Sequence, residues 1–390
     1  MSPFPFPTRP AFTMTTSSLP ESSAQFIGNL KQYLVPPGEG VFTVHTGSER
    51  RNSLQTRLYG GQAVQDKTVR LLWEQSLVEA LPAAQCVIFG IASDCGGGIQ
   101  RGANWGPLFL REAMLASQPD LPVYDIGDVR VIPHLLHDKY LNAGTLRNCR
   151  QALYNDANSN LPVSPLSIAY DFAVDFHYYF PEKRLFMIGG DHSVSYPMVR
   201  AWLEAKRDQG KNVALVHFDA HTDLLEQRLG IDLCFGTWTS HIFPYLPSPA
   251  HCIQIGIRAS GKDRGHWESK FAHSQYWSSE VIERGGEAIG AEIVQKLEAL
   301  GVEEIYVSYD IDCLDQAYAG ATGTPESGGM TVAQSLQILQ ALTARFTLGG
   351  ADVVEIAPMV KAPDISQPEP ETTLASGTAL SDLMIRAMAR

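Results

Sequence analysis

Apolar residues fall along this chain in two rhythms. Six short runs rich in Val and Ile are apolar at almost every position: CVIFGIA from Cys86, RLFMIGG from Arg184, NVALVHFD from Asn212, HCIQIGI from His251, EEIYVSYDID from Glu303 and ADVVEI from Ala351. Between them lie longer stretches with helical apolar spacing, Asn104–Ala116, Ser193–Arg207, Ser279–Leu300, Thr331–Phe346 and Ser376–Ala389. Strand-length runs alternating with helical stretches predict βαβ units, with a central parallel sheet and helices on both faces. The pattern spans residues 81–390 and reads as one α/β domain. Residues 1–80 read as an N-terminal extension, partly irregular, broken at Pro36, Pro37, Gly38 and Gly40 and again at Gly60 and Gly61. A helical stretch over Val64–Leu81 leads out of it. The first twenty residues hold five prolines, one base (Arg9) and no acid. They lack the continuous apolar core of a secretory signal and read as a flexible or partner-contacting arm, with a transit peptide as the alternative.

The apolar runs share a second property: polar residues collect where they stop. Asp191 and His192 follow the run from Arg184; Asp219, His221 and Asp223 close the run from Asn212; Asp310 and Asp312 close the run from Glu303; Glu355 closes the last. Ligands of open α/β sheets bind outside the carboxyl ends of the strands. Residues two apart in extended chain point the same way, so Asp219, His221 and Asp223 can face one site, as can Asp310 and Asp312. Capping and turn chemistry would explain one such cluster. Two clusters plus His192 are costly to bury unless cations compensate them. Four Asp and two His suit two divalent ions, and a site left locally negative favours a cationic substrate. Two metals make hydroxide available at neutral pH, so hydrolysis is the natural reaction class.

Composition narrows the setting. With 390 residues and 44% hydrophobic content the chain is neither disordered nor fibrous. The charged fraction of 18% is below the usual ~25% and hints at area buried between subunits. A net charge of −12 with no basic patch argues against a nucleic-acid partner. No apolar run reaches the ~18 residues of a membrane span. The six cysteines, Cys86, Cys95, Cys149, Cys234, Cys252 and Cys313, form no CxxC pair. They read as reduced core thiols in a reducing, cytoplasmic compartment.

The segments GGDHSVSYP from Gly189, HFDAHTD from His217, SYDIDCLD from Ser308, GTPESGG from Gly323 and VVEIAP from Val354 resemble the signature blocks of the ureohydrolases, the arginase and agmatinase family. GGGIQRGANWGPLFLREAM from Gly96 is similar to the family's early Gly-rich segment, and the resemblance covers about residues 85–390. It implies an arginase-like fold with two divalent metals per subunit. His192, Asp219, Asp223 and Asp310 would hold one; His221, Asp219, Asp310 and Asp312 the other. A metal-bridging hydroxide would attack the guanidinium carbon, Asp223 would pass a proton to the leaving amine, and Glu355 would grip the guanidinium. His217 reads as a packed core residue, Asp191 as a loop support, Asp315 as a support behind the ligands and Cys313 as packing.

The chain departs from the family at instructive places. Leu225 stands where arginases place the Asn that holds the amino-acid end of arginine, and an apolar side chain cannot pair a carboxylate. Phe235 stands at the position of a proposed proton-shuttling His. Leu224, Leu225, Phe235 and Trp238 suggest a small apolar approach to the metals, with Phe235 and Trp238 as substrate-binding walls. These changes and the long extension resemble the cyanobacterial-type guanidine hydrolases, which implies free guanidine as substrate, nickel favoured over manganese, and a homohexamer. Agmatine or a guanidino acid is the alternative substrate. A non-catalytic metal-binding scaffold is the remote one, disfavoured because all six ligands and Glu355 are present.

Overall fold

The structure is a computed structural model, and it describes residues 23–41, 47–60, 66–98, 100–360 and 369–390. The arm expected over the first twenty residues lies outside the described residues. Nine strands form one sheet: β1 (Leu34–Val35), β2 (Cys86–Ile91), β3 (Tyr124–Val129), β4 (Arg184–Gly189), β5 (Val213–Phe218), β6 (Cys252–Ile257), β7 (Ser274–Trp277), β8 (Glu304–Asp310) and β9 (Thr347–Val354). Their order is β1-β3-β2-β4-β9-β8-β5-β6-β7. Every pairing is parallel except β1 with β3.

All six apolar runs are strands, and β2, β5 and β6 are buried at every position. Alternate residues feed two cores. Ile88, Phe186, Val216, Ile253 and Val307 pack with Leu110, Ile293, Ile338 and Met384 from the helices on one face. Val87, Phe89, Leu185 and Leu215 pack with Phe26, Phe172, Val199 and Trp202 on the other. Helices Gly106–Ser117, Ser195–Asp208 and Val332–Arg345 lie within two residues of the predicted stretches. Thr331 and Gln334 cap the last with a reciprocal box. The expected helix Ser279–Leu300 is two, Ser278–Arg284 and Gly286–Ala299, because Gly285 between them sits at φ 82°. The last helix starts earlier than expected, spanning Glu369–Met388.

Strand β3 carries Asp125 and Asp128, an unpromising composition for a buried strand. Both face Arg111, whose side chain is 2% exposed. Arg111 Nη1 lies 3.3 Å from Asp125 Oδ2, and Nη2 bonds Asp128 Oδ1. The other Asp128 oxygen accepts the N–H groups of Gly38 at 2.8 Å and Gly40 at 3.0 Å. The early segment is thus tied to the sheet, and Trp73 Nε1 adds a bond to Ile126 O at 2.8 Å. Arg111→Met would strand two buried carboxylates, and removing one partner of a buried pair costs about 3–5 kcal/mol. Denaturant unfolding should show that loss; a change under about 1 kcal/mol would mean that the carboxylates are solvated or protonated in the native protein.

Candidate metal centre

Strands β4, β9, β8 and β5 are consecutive in the sheet, and they are the strands whose C-terminal ends carry the polar clusters. Register brings the ends level: Phe218 pairs with Tyr309, and Asp310 with Val354. His192, Asp219, Asp223, Asp310, Asp312 and Glu355 are all buried, and His221 is partly exposed. The approach is close because glycine permits it. A Cβ on Gly190 would lie 1.7 Å from Ser93 O, so β4 can turn into the site only with glycine there. Asp223 and Glu355 take left-handed backbone angles, φ 51° and 62°, conformations that side-chain-bearing residues hold only where the surroundings enforce them.

His192 is the hub. Its Nδ1 lies 3.1 Å from Asp219 Oδ2, 3.1 Å from Asp310 Oδ2 and 3.3 Å from Asp223 Oδ2. Its Nε2 is 3.1 Å from Ser308 Oγ, which donates to Asp352 Oδ1 at 2.8 Å; Tyr306 OH donates to Asp352 Oδ2 at 2.9 Å. That chain favours the tautomer with Nε2 protonated. Nδ1 is buried against three carboxylate oxygens, an arrangement that a cation relieves, either a proton on Nδ1 or a metal ion in its place. The donor set therefore fits a divalent ion.

Asp219 joins this cluster to a second. Its Oδ1 lies 3.3 Å from His221 Nδ1, which is 3.1 Å from Asp312 Oδ2. Ligand atoms of Asp219, His221 and Asp312 fall within 4.8 Å of one another, as do those of His192, His217, Asp219 and Asp223. Backbone groups fix the carboxylates: Asp312 N donates to Asp310 Oδ1 at 2.9 Å and Ala220 N to Asp312 Oδ1 at 3.1 Å. Among the described residues the only ion-pair partners of the four aspartates are histidines. Burial, reinforced by the charge of Asp219, pushes the Asp223 carboxyl well above its ordinary range; burial and Asp312 do the same to Asp310. Burial works against ionised Asp219 too, yet hydrogen bonds from His192, His217 and His221 hold it well below. The site carries more negative charge than its own side chains balance.

The remaining residues take supporting places. His217 lies behind the ligands, its Nε2 2.9 Å from Asp219 Oδ2 and its Nδ1 2.9 Å from Gln254 Nε2. Asp191 accepts the N–H groups of Gly96 at 3.1 Å and Ser193 at 3.0 Å, and so supports the Gly-rich loop. Asp315 accepts from Gly328 and Gly329, which stabilises the loop after β8. Glu355 Oε1 accepts the His192 N–H at 2.9 Å. Trp238 is fully buried and donates from Nε1 to Asp223 Oδ2 at 2.9 Å, with its ring 4.8 Å from that of His192. It therefore stands behind the ligands rather than at the approach. Phe235 is half-buried beside the Gly-rich loop: its Cζ would lie 3.6 Å from a Cβ on Gly98, and the Arg228 guanidinium is 5.1 Å from its ring centre. Ser308 and Asp352 are not among the residues that the strand-end pattern selects, though each is a polar residue within an apolar run, a signal that it must have a buried partner.

The fold and this centre are those of a known class. The Arginase family profile matches residues 84–384, and the chain belongs to that family, hydrolases acting on C–N bonds of amidines. It is 29% identical over 314 residues to the guanidinobutyrase of Pseudomonas aeruginosa, covering 77% of this chain and 86% of that one. It is 37% identical over 203 residues to the agmatinase of Proteus mirabilis, covering 52% of this chain and 59% of the agmatinase. Among solved structures, a hypothetical agmatinase from Burkholderia thailandensis aligns at TM-score 0.58 and 27% identity over 78% of this chain and 86% of that one. Proclavaminate amidino hydrolase from Streptomyces clavuligerus shares the fold at TM-score 0.59 and 24% identity, covering 79% and 93%.

Proposed function

We propose that this enzyme hydrolyses free guanidine to urea and ammonia, using two divalent ions, with nickel favoured over manganese. The observation that carries the reading is that Leu225 and Phe235, both solvent-accessible, follow the ligands in sequence and neither can hydrogen-bond a substrate tail, whereas Leu224, expected beside them, is fully buried. His192, Asp219, Asp223 and Asp310 would hold one ion; His221, Asp219, Asp310 and Asp312 the other. Ions bound there balance the carboxylates and acidify water at neutral pH. Nickel is supported by its place above manganese in the order of divalent affinities.

The protein's own groups do the rest. Glu355 Oε1 is engaged by the His192 N–H, which leaves Oε2 to accept from the planar guanidinium. Asp223, steadied by Trp238, takes a proton from the attacking water and delivers it to the departing nitrogen, so that guanidine and water become urea and ammonia. Burial of these carboxylates strengthens their hold on a cation that has no tail to anchor it.

A guanidino acid is the second reading. The Arg228 guanidinium beside Phe235 would attract a tail carboxylate and repel the second cation of agmatine. Urea release from guanidine, agmatine, arginine and 4-guanidinobutyrate, each with nickel and with manganese, separates the readings. Guanidine should lead by a large factor; equal or better turnover of agmatine or 4-guanidinobutyrate would overturn the small-substrate reading. Phe235→Ala should lower guanidine efficiency and raise activity on the longer substrates, because displacing a packed wall commonly costs about 1–3 kcal/mol. No helix among the described residues is long and apolar enough to cross a membrane. We place the enzyme in the cytoplasm as a homo-oligomer, a hexamer by family resemblance. Light scattering of the purified protein tests the assembly.

A further inference from the structure

Arg258 follows β6 directly and lies outside the ligand set. Its guanidinium has five N–H groups, and they meet six backbone carbonyls. Nε reaches Ser327 O at 3.1 Å; Nη1 reaches Gly256 O at 3.2 Å and Cys313 O at 3.1 Å. Nη2 reaches Asp312 O at 2.7 Å, Leu314 O at 3.0 Å and Glu326 O at 2.9 Å. Its own N–H donates to Ala220 O at 2.9 Å, between Asp219 and His221. One residue thus fastens the segments that carry His221, Asp312 and Glu326. No carboxylate pairs with it among the described ion pairs. A lysine cannot replace it, because one ammonium with three donors cannot span six acceptors arranged around a planar fork.

The segments it joins face His221 from two sides. Asp312 Oδ2 is 3.1 Å from His221 Nδ1 and accepts Thr324 Oγ1 at 2.9 Å; Glu326 Oε1 is 3.5 Å from His221 Nε2. A carboxylate on the far nitrogen of a metal-binding imidazole fixes its tautomer and raises its basicity. We propose that Arg258 and Glu326 are positioning residues for the metal position built from Asp219, His221 and Asp312: Arg258 pins the two loops, and Glu326 orients His221. The inference rests on the two-metal reading given above.

Mn²⁺ titration of the purified apoenzyme against a competing chelator tests it, with the paramagnetic resonance spectrum as a second readout. The wild-type protein should bind two ions and show the signature of a coupled pair. Arg258→Lys and Glu326→Gln should each bind one ion with near-normal affinity and the second about 10–100-fold more weakly, giving the spectrum of an isolated ion at one equivalent. The double variant should lose less than the product of the two single effects, since both act through His221. Two ions held by either single variant with wild-type affinity would overturn the proposal, as would equal weakening of both positions. Should Arg258→Lys fail to fold, Glu326→Gln, on a partly exposed side chain, decides alone. Failure of the wild-type protein to bind a pair would instead refute the two-metal reading itself.

Discussion

Asp219→Ala is expected to empty both metal positions and abolish turnover, whereas His192→Ala should lose chiefly one ion. The difference lies in where the oxygens point. Asp219 Oδ2 faces His192 Nδ1 at 3.1 Å while Oδ1 faces His221 Nδ1 at 3.3 Å, so a single carboxylate serves both clusters. It is also the aspartate that neighbouring histidines hold well below the usual carboxylate range, and its loss removes the one negative charge that both positions share. His192 touches only the cluster that includes Asp223 and Asp310. Metal analysis of purified, folded variants measures this directly. Two ions per subunit in Asp219→Ala would refute the shared-carboxylate assignment.

Much of this site is legible in the amino-acid sequence, for a physical reason. A buried parallel strand must be apolar along its length, so ionisable residues at its end stand out, and the crevice rule says where such ends lead. The sequence does not state which strands are neighbours. That β4, β9, β8 and β5 stand side by side follows from long-range packing, and it turns four separate clusters into one. Strand β3 is illegible because its aspartates are balanced by Arg111, fourteen residues before Asp125 and on a helix. Trp238 reads as a wall because its ring is large and apolar. Its position depends on the indole N–H finding Asp223, fifteen residues away. The contacts that hold the ligands in place, Ser308 to Asp352, Gln254 to His217 and Arg258 to six carbonyls, join residues with no periodic relation, so no pattern along the chain announces them.

Glu355→Gln should leave the metals in place and remove most activity. The two effects separate because the carboxylate has two jobs on two oxygens. Oε1 accepts the His192 N–H at 2.9 Å, and a glutamine carbonyl can accept that bond equally well, so the left-handed turn and the position of His192 survive. The other oxygen is the one proposed to receive the guanidinium. In the variant an amide N–H₂ stands there, which carries no charge and turns donor against donor. Charge-assisted bonds are roughly twice as strong as neutral ones, and the site is buried, where lost pairing is screened least. The expected fall in kcat/KM is at least tenfold, about 1.4 kcal/mol or more. It should exceed any fall in metal content, measured on the same preparation. Near-normal guanidine turnover in Glu355→Gln would remove Glu355 from substrate binding and leave it a support for His192 alone.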